Sequence, residues 1–180
     1  MRSLLLLLVF PVLLITAGCA DGGGTTEPTA LEDGAGPALA NNDVDTDADE
    51  CKFEVPLSAS EEVPPTTSSA SGEARIEIED NEIEFKVEID NPARESFVAG
   101  HIHRGPRGTN GPVVRGLFPN NPQNEKFEAR GFPSGEELRV EGEGSIDPAL
   151  ATAICAQPEQ FYVNFHTTQF PGGAIRGQLR

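Results

Sequence analysis

Residues 73 to 90 alternate apolar and charged side chains almost without a break. EARIEIE sets Ala74, Ile76 and Ile78 on one side and acids on the other. EIEFKVEID sets Ile83, Phe85, Val87 and Ile89 against charges in the same way. A period of two belongs to strands with one buried face and one wet face. Asp80-Asn81 divides the two runs and predicts a two-residue hairpin turn. Further short runs lie between turns rich in Gly, Pro and Asn: CKFEVPL, SFVAGHIH, VVRGLF, EKFEARGF, ELRVEGEG, FYVNFHT and GAIRGQLR. One helix is expected, with Asp147 as N-cap, Pro148 at the first helical position and ALATAICA after it. The pattern predicts an all-β fold: an antiparallel, Greek-key-like sandwich or barrel of about eight or nine strands with one short helix.

The chain divides into three regions. Residues 1–18 read as a secretory signal, with Arg2, an apolar run from Leu4 to Ile15, and small residues before Cys19. The run is too short to span a bilayer, which needs roughly 20 apolar residues. Thr16-Ala17-Gly18-Cys19 resembles a bacterial or archaeal lipobox, in which the cysteine is lipidated after cleavage; Thr16 departs from its usual Leu. Lipid on Cys19 would anchor the chain to the outer face of a membrane, at the cell surface or in the periplasm. Residues 19–50 carry Gly, Pro, Thr, Ala and acids but few large apolar side chains, and read as a disordered acidic linker. The patterned domain is residues 51–180.

Charge narrows the partners. The full chain has a net charge of −16, with 13 basic and 29 acidic residues. Loss of the signal removes Arg2 and no acid, leaving 12 basic against 29 acidic residues, a net charge of −17. Such a chain repels nucleic acid, so the expected partners are the membrane, through Cys19, and an extracellular protein or glycan. Cys51 and Cys155 remain after Cys19. In an oxidising compartment the pair is expected to form a disulfide, the alternative being two free thiols.

The chain has three histidines, His101, His103 and His166, all on expected strands. Alternate residues share a face, so His101 and His103 point one way and Val98, Gly100 and Ile102 the other. In FYVNFH, Phe161, Val163 and Phe165 form the apolar set, which leaves Tyr162, Asn164 and His166 opposite. In GAIRGQL, Ile175 and Leu179 leave Arg176 and Gln178 opposite. The parity predicts one outward polar patch of these seven residues beside the loop GPRGTNGP. Phe97 and Ala99 share the histidine parity, so inward-facing histidines stay open. Three imidazoles suit copper or zinc. Arg176 opposes a bare cation site unless a carboxylate intervenes. The competing readings are an anion or glycan site built from His and Arg, and side chains that only pin loop carbonyls; Tyr162, Asn164, Arg176 and Gln178 are the candidate binding patch.

Catalytic motifs such as G-x-S-x-G, H-E-x-x-H or a P-loop do not occur, and no catalytic residue is assigned. Glu61 and Glu62, before the two prolines, read as turn and surface residues.

LSASEEVPP (57–65), SGEARIEI, AGHIHRGPRGTNGPVV (99–114) and FYVNFHTTQFPGGAIRGQL (161–179) together resemble the chordin-type (CHRD) domain. The resemblance spans almost all of Cys51 to Leu179. It implies an extracellular β-sheet domain without established enzymatic activity, known from secreted chordin and from bacterial exported proteins. GHIH before a Gly-rich loop is also similar to the copper-binding stretch of copper/zinc superoxide dismutases. That similarity would make His101, His103 and His166 copper ligands. The further histidines and the Asp of a bimetallic site have no counterpart, which puts dismutase activity in doubt. The leading expectation is a lipid-anchored, non-catalytic binding module. The alternative is a copper or zinc protein that uses the three histidines.

Overall fold

A computed structural model describes residues 50–180. The expected signal peptide, lipidation at Cys19 and linker up to residue 49 lie outside the described residues.

Nine strands form a single antiparallel sheet: β1 (Cys51–Ser58), β2 (Ser71–Glu79), β3 (Glu82–Asp90), β4 (Phe97–Arg104), β5 (Val113–Phe118), β6 (Asn124–Arg130), β7 (Glu137–Ser145), β8 (Phe161–Thr167) and β9 (Ile175–Gln178). Their order across the sheet is β5-β4-β8-β9-β1-β2-β3-β7-β6. The expected sandwich or barrel is thus realised as one sheet curled into a half-barrel. Its two edges meet through side chains. Phe118 of β5 packs on Phe127 of β6 and on Phe132 just beyond it, with ring centroids 6.5 and 4.1 Å apart. Arg115 of β5 donates to Asn124 Oδ1 of β6 at 2.6 Å.

The alternating runs behave as their chemistry requires. Ala74, Ile76, Ile78, Ile83, Phe85, Val87 and Ile89 all face the core inside the curl. Asp80 and Asn81 take positive φ of 48° and 65°, the left-handed pair that a tight hairpin turn needs. The helix α1 (Pro148–Ala156) starts where its cap predicts, and the Leu150 N–H donates to Asp147 Oδ1 at 3.0 Å. Ala151 and Ile154 seat α1 on the core. Cys155 of α1 is disulfide-bonded to Cys51 of β1. This bridge closes a 104-residue separation, worth about 4 to 5 kcal/mol in the chain-entropy picture.

The parity of β4 is broken once. The β4–β8 ladder shifts register between Phe97 and Ala99, a bulge that adds one residue to β4. Phe97 therefore turns into the core at 1% exposure, while Val98 is 45% exposed rather than sharing the inner face of Gly100 and Ile102. This is why Phe97 and the histidines can share a parity in sequence yet occupy opposite faces.

Candidate metal centre

Beyond the bulge, the outer face of β4, β8 and β9 is a grid set by register. His101 lies opposite Asn164, and Asn164 opposite Arg176. His103 lies opposite Tyr162, and Tyr162 opposite Gln178. His166 sits opposite Ala99, so it is the diagonal neighbour of His101. The three histidines thus converge although 63 residues of chain, 103 to 166, separate two of them from the third. Their ligand atoms all lie within 4.8 Å of one another.

Two backbone carbonyls choose which nitrogens are free. His103 Nδ1–H donates to the Gly111 carbonyl at 2.9 Å, and His166 Nδ1–H to the Pro171 carbonyl at 3.0 Å. A carbonyl only accepts, so both rings carry their proton on Nδ1 and hold a lone pair on Nε2. His103 Nε2 is buried without a hydrogen-bond partner. His166 Nε2 lies 3.1 Å from His101 Nδ1, which donates to it when protonated there. Moving that proton to the far nitrogen of His101 would leave three lone pairs facing one another. Imidazole ligands fixed by carbonyls at their second nitrogen are the usual arrangement around a bound metal.

The rings are held neutral. Burial drives the His101 pKa down to about 4, helped by the charges of His166 and His103. Burial also lowers His103 and His166, against the hydrogen bonds to Gly111 and Pro171. Neutral imidazole is the form that binds metal.

Tyr162, Asn164, Arg176 and Gln178 share the histidine face, as parity predicts, but they form no open patch. They are 2%, 2%, 1% and 6% exposed, because the loop 105–112 folds across them. His103 stacks on the Tyr162 ring at 4.8 Å from the β4 side, and the Arg176 guanidinium lies 3.3 Å over that Tyr162 ring from the β9 side. Arg176 donates to the Thr109 carbonyl at 2.8 Å, and Gln178 Nε2 to the Phe161 and Gly105 carbonyls at 2.6 and 3.1 Å. The Gly111 N–H donates to Tyr162 Oη. These groups pin the loop that carries the His103 carbonyl partner. Gly111 itself admits no side chain, since a Cβ there would sit 1.7 Å from the Arg104 carbonyl oxygen.

Glu62 departs from its expected role as a surface residue. It is 5% exposed, and a Cβ on Gly173, at φ 136°, would fall 2.3 Å from its Oε1. Burial pushes its pKa up to about 7, against the pull of Arg176 and hydrogen bonds from Asn164 and the Val63 backbone. Arg176 is the opposite charge that acts on it, and the same guanidinium also acts on His103. Glu61, by contrast, turns outward and ion-pairs with Arg107. Two adjacent acids give no local sign of which faces in. Only the position of EEVPP within a longer motif block could have marked them.

The CHRD domain family profile matches residues 53–179, most of the chain, and the protein belongs to that family. No curated protein and no solved structure shows a match. The similarity to copper/zinc superoxide dismutases therefore rests on the GHIH stretch alone.

Proposed function

We propose that this extracellular binding module of the CHRD family is a metal-binding domain. It takes one copper or zinc ion through His101 Nδ1, His103 Nε2 and His166 Nε2. The observation that carries the reading is the orphaned His103 Nε2. A buried acceptor left without a donor costs about 1 to 3 kcal/mol, and a cation shared with two further imidazoles removes that cost. The ligand set is all nitrogen, which suits copper and zinc rather than calcium or magnesium. The anion reading fares worse, because the Arg176 donors are already taken by loop carbonyls.

The same proposal places the domain outside the cell, held to the membrane by lipid on Cys19 through the acidic linker. A cleft of about 580 Å³ beside the site, walled by Pro64, Pro65, Asn110, Phe170 and Pro171 with Glu62, is where a protein or glycan would meet it.

Titration of the purified domain with Cu(II) and Zn(II) tests the metal reading. One ion per chain is expected, with loss of binding in His103→Ala. Protein that stays metal-free after incubation with either ion and desalting would reject it.

A further inference from the structure

Four buried side-chain atoms among the described residues lack any hydrogen-bond partner: Glu62 Oε1, His103 Nε2, Asn164 Oδ1 and Arg115 Nε. Three of these belong to residues that act on one another: Asn164 favours the charged form of Glu62 on one side and of the His103 ring on the other. On the grid, Asn164 lies directly opposite His101, diagonal to His103, and two residues before His166 on the same face. It therefore occupies the one position that adjoins all three histidines.

The unpartnered atom of the amide is its oxygen, which can only accept. Across the grid Asn164 lies diagonal to His103. With His103 Nδ1–H committed to Gly111, that oxygen faces a lone pair, not a donor. Two acceptors brought together in a buried place call for a proton or a cation between them.

We infer that Asn164 Oδ1 is a fourth donor to the ion, an uncharged oxygen ligand aimed by Glu62. The inference rests on the metal reading and deepens it. It gives an N₃O set, which completes a tetrahedron for Zn(II) and a tetragonal N,O field for Cu(II). It also assigns Glu62 a role as a positioning residue. Its carboxylate acts on the amide and supplies a counter-charge to Arg176, which otherwise repels the ion.

The test compares metal affinity and the Cu(II) electron paramagnetic resonance spectrum across wild type, Asn164→Leu, Asn164→Asp and Glu62→Gln. Removing a group that only supports a ligand, as Glu62 does, is expected to weaken binding by about 10- to 100-fold, and removing a direct donor by at least as much. Asn164→Leu follows that expectation and shifts the copper hyperfine coupling. Asn164→Asp, which keeps the oxygen and adds charge, binds Cu(II) at least as tightly as wild type and also shifts the spectrum. It serves as the deciding variant if the leucine protein does not fold. Glu62→Gln weakens binding and moves the spectrum, although it contacts no metal. Wild type that binds, with affinities and spectra unchanged in the folded Asn164 variants, would overturn the inference and leave the three-histidine site standing. Wild type that binds neither ion would overturn both.

Discussion

The two halves of the sheet use the same alternation to opposite ends. In β2, β3 and β7 the inner residues are buried and most of the outer ones are exposed. Outer charges there pair in water, across strands as Arg75 does with Glu54 and Lys52 with Glu77, and along β2 as Arg75 does with Glu73. In β8 and β9 nearly every residue is buried on both faces, His166 being the half-buried exception. The difference comes from what lies on the outer face. Solvent satisfies the first half, whereas loop carbonyls, Tyr162 and Glu62 must satisfy the second. A polar residue on the wet half needs no particular partner. Under the loop each one needs a named partner, and the few atoms left without one mark the site.

The largest expected effect comes from cutting the link between the halves. Cys51→Ser should lower unfolding free energy in urea by about 4 kcal/mol, because Cys51 on the wet half is bonded to the helix that leads into β8. A loss under about 1 kcal/mol would show that packing alone joins them.

Next is the covered half itself. Arg176→Leu removes a 1%-exposed guanidinium and leaves loop carbonyls and Glu62 without their cation. A buried acceptor left without its donor costs about 1 to 3 kcal/mol, and a loss in that range is expected. Chemical denaturation should resolve this easily.

The pH dependence of the metal-free protein sharpens the comparison further. The lowered histidine values mean that the unfolded chain takes up protons first on acidification. That stabilisation is fully present above about pH 6.5 and is lost as pH falls toward 4, where His101 titrates. Glu62 runs the other way. Its raised value means its contribution is fully present below 4.5 and is lost as pH rises through about 7. Glu62→Gln should therefore steepen the rise of stability between pH 4.5 and 7. A curve parallel to wild type would place Glu62 in water.

The smallest effect belongs to the wet half. Arg75→Ala breaks two exposed ion pairs and should cost under about 1 kcal/mol. An effect equal to that of Arg176→Leu would erase the distinction between the halves.

Much of this was legible in the sequence, for physical reasons. Period two and the Asp80-Asn81 turn define the β2–β3 hairpin, and Asp147-Pro148 defines the start of α1. Parity also put His101 and His103 on one face of β4 and Tyr162, Asn164 and His166 on one face of β8, while it left open which face of β4 was the inner one. Three things were not legible. The bulge at Val98 depends on how β4 meets β8, not on β4 alone. The burial of Tyr162, Asn164, Arg176 and Gln178 depends on a loop 50 to 70 residues away folding over them. The inward turn of Glu62 depends on the space left by Gly173, which is 111 positions further on.

The most direct test of the central claim is an anomalous difference map from crystals of the domain grown with copper or zinc. The account predicts one strong peak about 2.0 to 2.1 Å from His101 Nδ1, His103 Nε2 and His166 Nε2. Peaks confined to the acidic outer face of β2, β3 and β7, with none among the three imidazoles, would contradict it.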